Sequence, residues 1–326
     1  MKKKILSLVL ISMMVLGLVA CGKNNKAVTA TEFAEKIGGM ELYSSNMQLD
    51  ISDGTDVISV KLNVANSDVN EGSVVVEAKA GTMTDYKVFT TVYVTKDMDI
   101  YINAKQLLDF MVSYDSQYAI ISSFISLSED YVSIKKDDIK AMYDQMGEDY
   151  SEIEAAYENM NTAEASKLYL ELFGNFVDKI KADTEDSVVS VSADKLTVTV
   201  NNENVAVFAD ALSKISFKEV LESENNKSKI DNYDEMVTAV ETIDESLKEM
   251  ADALKEFAAT GKIDAKFEWA IKGKNVDTTL DATVEADGNV STVKLSATST
   301  PDKLSGLSVP DKSVSFIDLM NQLQGN

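Results

Sequence analysis

Two Ser-x-x-Lys spacings occur in this chain of 326 residues, Ser192-Ala193-Asp194-Lys195 and Ser291-Thr292-Val293-Lys294. Acyl-transfer enzymes use that spacing when it brings hydroxyl and amine together at a helix start. Here the first straddles a tight turn. The second lies in an alternating stretch, where residues three apart face opposite ways. No Lys-Thr-Gly partner follows. Composition closes most other routes. The chain has no histidine, and every basic residue is lysine. No imidazole is available to activate a hydroxyl or ligate a metal, and no guanidinium to clamp an anion at two points. Asp50, Asp53 and Asp56 suggest calcium, but they lack the alternate ligand positions and closing Glu of an EF-hand loop. They read as solvated turn residues. We therefore expect no enzyme, no cofactor and no metal.

The remaining reactive group is Cys21, the single cysteine, which rules out a disulfide within one chain. It follows a basic start (Lys2, Lys3, Lys4), an apolar stretch from Ile5 to Leu16, and Leu18-Val19-Ala20. That order defines a secretory leader, with an apolar core too short for a transmembrane helix. The Leu-Val-Ala-Cys end resembles the bacterial lipobox. The resemblance implies that the Cys21 thiol takes a diacylglycerol and that Cys21 becomes the first residue after cleavage. The expected layout is a signal peptide over 1–20, a lipidated tether over 21–30, and a single domain over 31–326. The expected location is the extracytoplasmic face of the cell membrane, held through Cys21. Losing Lys2, Lys3 and Lys4 with the leader takes the formal charge from −23 to −26. Such acidity argues against nucleic acid as a partner, because phosphates require a basic footprint. Asn226-Lys227-Ser228 fits a glycan acceptor, but exported bacterial proteins usually lack that machinery.

Thr29 and Glu32 stand at capping-box spacing and predict a short helix to Ile37, stopped by Gly38-Gly39. Ile58, Val60, Leu62 and Val64 alternate with polar residues, as do Val74, Val76, Ala78 and Ala80. Further strands are expected over Val88–Val94 and Asp99–Ile102, with antiparallel pairing across short connections. The middle is mostly helical: Ala104–Tyr114, Asp137–Met146 and Ala163–Ala182, with a short strand near Tyr131–Ile134. A strand pair, Ser187–Val191 and Leu196–Val200, turns at Ala193-Asp194. Asn202 is expected to cap a helix running to Ile215. Tyr233 to Phe257 shows a heptad-like seam, with Asp234, Glu241, Asp244 and Glu245 on the opposite side. It reads either as a dimerising coiled coil or as a helix buried under a sheet. Ala265–Ile271, Val276–Val284 and Val293–Ala297 form a second meander with a hairpin at Asp287-Gly288. Ser315–Leu323 closes the chain as a helix.

The expected class is therefore α+β, a strongly curved antiparallel sheet (an incomplete barrel) packed around central helices, with both meanders turning one apolar face inward. Lipobox, short helix, meander, central helices, second meander and the segment Val309-Pro310-Asp311-Lys312-Ser313-Val314-Ser315-Phe316-Ile317-Asp318-Leu319-Met320 together resemble the LolA-like lipoprotein superfamily. That superfamily includes mycobacterial lipid-carrying lipoproteins and many lipoproteins of Gram-positive bacteria. The resemblance implies an apolar cavity between sheet and helices with a lipid or other apolar small molecule as cargo. Phe267, Trp269, Leu280, Val284 and Leu295 are the inner-face candidates to line it. The alternative is a structural or protein-interaction lipoprotein of the envelope with a filled core. The methionines, including Met40, Met47, Met83, Met98, Met111 and Met142, read as an adaptable pocket or as plain core filling.

Overall fold

The computed structural model describes residues 29–68, 71–119, 127–146, 150–151, 163–223, 233–286 and 288–323. The leader, Cys21 and Asn226-Lys227-Ser228 lie outside them. In chain order the elements begin with α1 (Ala30–Ile37), β1 (Ser44–Ser52), β2 (Val57–Asp68), β3 (Glu71–Ala80), β4 (Lys87–Val94) and β5 (Ile100–Asn103). There follow α2 (Ala104–Tyr114), β6 (Tyr131–Ile134), α3 (Lys136–Met146), α4 (Ala163–Thr184), β7 (Val189–Ser192) and β8 (Lys195–Asn201). The rest is α5 (Val205–Ser213), α6 (Phe217–Ser223), α7 (Tyr233–Ala258), β9 (Lys262–Lys272), β10 (Asn275–Ala286), β11 (Asn289–Thr300), β12 (Val314–Ser315) and α8 (Phe316–Leu323). The fold is α+β. Twelve strands form a mostly antiparallel sheet that does not close, in the order β12-β6-β5-β4-β3-β2-β1-β11-β10-β9-β8-β7. The chain divides into two compact units, Met1–Glu41 with Ser52–Gly54 and Ser166–Ser296, and Leu42–Ile51 with Thr55–Ala165 and Ala297–Asn326.

In the first unit α1 begins as its sequence predicts. Thr29 Oγ1 accepts from Glu32 N–H at 3.0 Å, and Glu32 Oε2 accepts from Thr29 N–H at 3.0 Å. Two further amides at this helix start have no partner within the helix. Asp178 of α4 supplies it, accepting from Ala30 N–H at 2.6 Å and from Thr31 N–H at 2.9 Å. The approach is close enough that a Cβ on Gly174 would lie 2.4 Å from Thr31 Cα. Ala30, Phe33, Ala34 and Ile37 are all buried.

The long helix α7 is a core helix. Val240, Leu247, Met250, Ala251 and Leu254 are buried, and α7 packs on α5, α6 and β9. Two positions depart from the seam read in sequence. Ile243, expected inside, is 45% exposed. Asp244, expected on the wet side, is buried. Its carboxylate accepts from Ser216 Oγ at 2.7 Å, Phe217 N–H at 2.6 Å and Lys218 N–H at 3.3 Å. It therefore caps α6, a helix that seven residues of sequence do not announce. Asn202 also differs from expectation. The residue preceding the helix is Asn204, and Asn202 Oδ1 instead accepts from Ile263 N–H at 2.8 Å. Asn204 Nδ2 donates to Ser187 O and Thr199 O, stitching the β8–α5 corner to the chain just before β7.

In the second unit β1 to β6 form a meander in order, and β12 adds to β6 in parallel. Asn103 caps α2 by accepting from Gln106 N–H at 2.9 Å. The helix lies along β4, where Thr91 Oγ1 donates to Gln106 Oε1 at 3.0 Å and Phe89 meets Phe110 edge-on at 5.1 Å. Between Val76 and Glu77 the β3–β4 register shifts, so Phe89 is the extra residue of a bulge.

Candidate functional site

Side chains of directly paired residues in adjacent strands share a face, so the register shows which residues gather there. In the second unit Val64 pairs with Val74, Val74 with Val92, Val92 with Ile102, and Ile102 with Val132. Val314 of β12 then pairs with Val132. Six strands thus contribute one unbroken aliphatic row. Neighbouring positions extend it: Leu62 and Val76 to one side, Val94, Ile100 and Ile134 to the other. The opposite face carries Lys61, Asn63, Ser73, Glu77, Lys79, Thr91 and Tyr93. There Tyr93 and Tyr131 have ring centroids 6.0 Å apart. Burial, then a hydrogen bond with Tyr131, raises the Tyr93 hydroxyl above its usual pKa.

This aliphatic face is not packed like a core. Val132 is buried at 6% exposure, but Val64, Val74, Val92, Ile102 and Val314 are each only half-buried. Val60, Leu62, Val76, Val94, Ile100 and Ile134 are likewise half-buried, and Ile58 is 49% exposed. Each half-open aliphatic side chain forgoes part of the 1.5–3 kcal/mol, roughly, that full burial of a Val, Leu or Ile yields.

The second meander, in the first unit, has the same alternation and the opposite packing. Trp269 is 1% exposed, Leu280 2% and Phe267 4%; Leu295 is buried and Val284 half-buried. The Trp269 ring lies 5.0 Å from Phe173 of α4, 5.6 Å from Phe267 and 6.5 Å from Phe33 of α1. Phe267 pairs with Leu280 and Val198, Trp269 with Thr278 and Leu196, and Ile263 with Val284. The space beside Trp269 is thus occupied by the protein's own aromatic side chains. Trp269 Nε1 is buried and has no hydrogen-bond partner among the described residues, which leaves that polar atom unsatisfied.

The outer face of this meander is a lattice of ion pairs. Lys195 Nζ lies 2.7 Å and Lys266 Nζ 3.1 Å from Glu268, and Lys272 Nζ lies 2.6 Å from Asp277. A hydrogen bond from Lys195, joined by one from Lys266, lowers the Glu268 pKa against the opposing effect of burial. The first Ser-x-x-Lys pair is taken up here: Ser192 Oγ donates to Lys195 O at 3.2 Å, and the Lys195 amine is committed to Glu268. In the second pair Lys294 Nζ lies 3.5 Å from Asp281. Asp50 accepts from Gln48 Nε2 at 2.9 Å. Among the described residues no three Asp, Glu or Cys converge as a metal site. A shallow polar cleft lies between the turn before β6 and α8, lined by Ser128, Glu129, Ser313, Ser315, Asp318 and Asn321. Among the described residues no helix is long and apolar enough to cross a membrane.

No family model and no curated protein matches this chain. The crystal structure of LprF from Mycobacterium bovis is similar to it at 10% sequence identity and a TM-score of 0.24. The alignment covers 87% of this chain and 97% of that one.

The sequence singled out the second meander because it contains Trp269. It missed the first as a site because the row is a product of register. Each of Val64, Val74, Val92 and Ile102 is visible as an alternating residue, but no local signal shows that they fall side by side.

Proposed function

We propose that this protein is a lipid-anchored lipoprotein of the extracytoplasmic membrane face that holds a lipid or other apolar ligand against the aliphatic face of β2 to β6. The observation that carries the reading is the row Val64–Val74–Val92–Ile102, each side chain only half-buried, whereas Phe267, Trp269, Leu280 and Leu295 of the second meander are buried. Apolar surface kept half-open is unfavourable, and an acyl chain laid on it gains about 0.8 kcal/mol per buried CH₂. The leader and Cys21 support the anchor. Two acyl chains there would give stable attachment. The role is non-enzymatic, in keeping with the absence of histidine and the commitment of Lys195 to Glu268.

The test uses the chain from residue 21 with Cys21→Ser, so that no acyl group of its own competes. Native mass spectrometry of that chain is expected to show co-purified lipid, or uptake of added phosphatidylglycerol. Ile102→Asp is expected to abolish either, while leaving Trp269 fluorescence as in the parent. A chain that neither carries nor takes up lipid would instead support an envelope protein acting through its surface.

A further inference from the structure

The register that assembles the aliphatic row also fixes which polar side chains share its face. Among the paired residues of β2 to β6 and β12 there are three: Asn66, Thr90 and Lys87. Asn66 lies at one end, in the row of Val94 and Ile134. Thr90 pairs with Val76 and is buried, and its hydroxyl is used internally, donating to Asn103 O at 3.1 Å. Lys87 lies at the other end, beyond the bulge. It pairs with Ala78, which pairs in turn with Val60. It is the single charged side chain among these paired residues of the face.

The chain carries 54 acidic residues for 31 lysines, so acids to pair with are in excess. Lys87 is nevertheless exposed, with no ion pair or hydrogen bond among the described residues. The acids closest to it in the chain and in the register are turned elsewhere. Asp85 accepts from Thr84 Oγ1 at 3.0 Å, and Glu77, paired with Val88, lies on the opposite face. From Ala78 along β3 to Val74, in the row of Val92, is about 14 Å, and to Gly72 about 20 Å, at about 3.4 Å per residue. One acyl chain spans half the hydrocarbon core of a bilayer, about 15 Å. A chain laid along the strands with its head at Lys87 therefore places its methyl end among Val74, Val92 and Ile102. A charged head anywhere else on this face would lose water and meet only methyl groups. At Lys87 an anion keeps water on its open side and gains a charge-assisted contact, whereas an ammonium head meets a like charge.

We propose that the apolar site takes an anionic amphiphile, its acyl chain lying along β3 and β4 and its carboxylate or phosphate at Lys87. The proposal rests on the ligand site proposed above, and adds to it the charge of the head and the direction of the chain.

The test uses the chain from residue 21 carrying Cys21→Ser, with a fluorescent polyene fatty acid and its uncharged methyl ester as probes at neutral pH. Lys87→Gln is expected to weaken binding of the acid about two- to fivefold, the worth of an exposed ion pair, and to leave the ester unchanged. Lys87→Glu is expected to weaken the acid further. Lys79→Gln, on the opposite face, is expected to alter neither. Native mass spectrometry with phosphatidylglycerol and with diacylglycerol of the same chains separates the two heads. Dependence of the phospholipid on Lys87 assigns a phosphodiester, and dependence of the fatty acid alone a carboxylate. An acid bound equally by parent, Lys87→Gln and Lys87→Glu, with the ester bound throughout, would overturn the head-group assignment and leave the site standing. Equal weakening of acid and ester would overturn it too, since Lys87 would then act through packing and not through charge. A parent chain that binds neither probe would overturn the site and the assignment with it.

Discussion

Asp178 is the point at which the N-terminal helix is fastened to the first unit, and its replacement tests that reasoning quantitatively. Its carboxylate accepts from two backbone amides and from Thr31 Oγ1, the last at 2.8 Å. Hydrogen bonds to a charged partner are worth about 1.5–3 kcal/mol each when intact. Their plain sum overstates the loss here, since the site is only partly buried and water can reach the freed groups. Losing an N-cap costs about 0.5–2 kcal/mol, and losing a carboxylate at a helix N-terminus about 0.3–1 kcal/mol more. Asp178→Ala is therefore expected to destabilise the first unit by about 1–3 kcal/mol. Trp269, the single tryptophan, reports on that unit directly through its contact with Phe33 of α1. With a urea slope of about 1–3 kcal/mol/M, the fluorescence midpoint should fall by about 0.3–3 M. Hydrogen exchange at the α1 amides should accelerate by about fivefold or more. A midpoint shift within about 0.2 M, with α1 protection unchanged, would show that apolar contact alone holds the helix and that the Asp178 network is incidental.

Gly174→Ala in the same unit should also destabilise, by about 1–3 kcal/mol of overpacking against about 1 kcal/mol gained in helix propensity. The sign is set by the 2.4 Å approach to Thr31 Cα, which is backbone and cannot rotate away; a stabilised variant in urea denaturation would contradict it. Asp244→Ala should cost about 2 kcal/mol, because it frees two amides at the start of α6 and the Ser216 hydroxyl. Amide exchange over 217–223 is the direct readout, and unchanged protection there would refute the cap. Glu268 has a folded pKa below its ordinary value, so its contribution is complete above the ordinary carboxyl range and is lost as pH falls through the folded value. Glu268→Gln should therefore flatten the acid limb of the stability curve, and a variant whose acid limb matches the parent would exclude that role.

Much of the fold is legible in the sequence because its signals are local. The Thr29–Glu32 box, the hairpin at Ala193-Asp194 and the alternation of β2, β3, β9 and β10 each arise within a few residues of chain. What escapes reading depends on partners distant in sequence. β1 is the exception, since Met47, Leu49 and Ile51 alternate with Gln48, Asp50 and Ser52, a strand signal as local as that of β2. Asp244 resembles any other acid on α7 until α6 folds back onto it. The two meanders show the same period-two pattern, and alternation predicts equal burial for both. Trp269 is enclosed because Phe33 and Phe173 arrive from helices elsewhere in the chain. Val74 and Val92 remain half-open because no equivalent pair of rings reaches them among the described residues.

An open sheet has two ends, and here both end in very little strand. β7 offers four residues and β12 two, while the long strands β2, β3, β9, β10 and β11 all lie inside the order. An unpaired edge is a template for another chain, and its reach scales with its length. The Lys36 amine lies 2.6 Å from Asp194 at the turn beside β7, placing an ion pair where an incoming strand would begin to zip. Neighbouring copies would find no long edge to extend, and the sheet should resist fibrous growth.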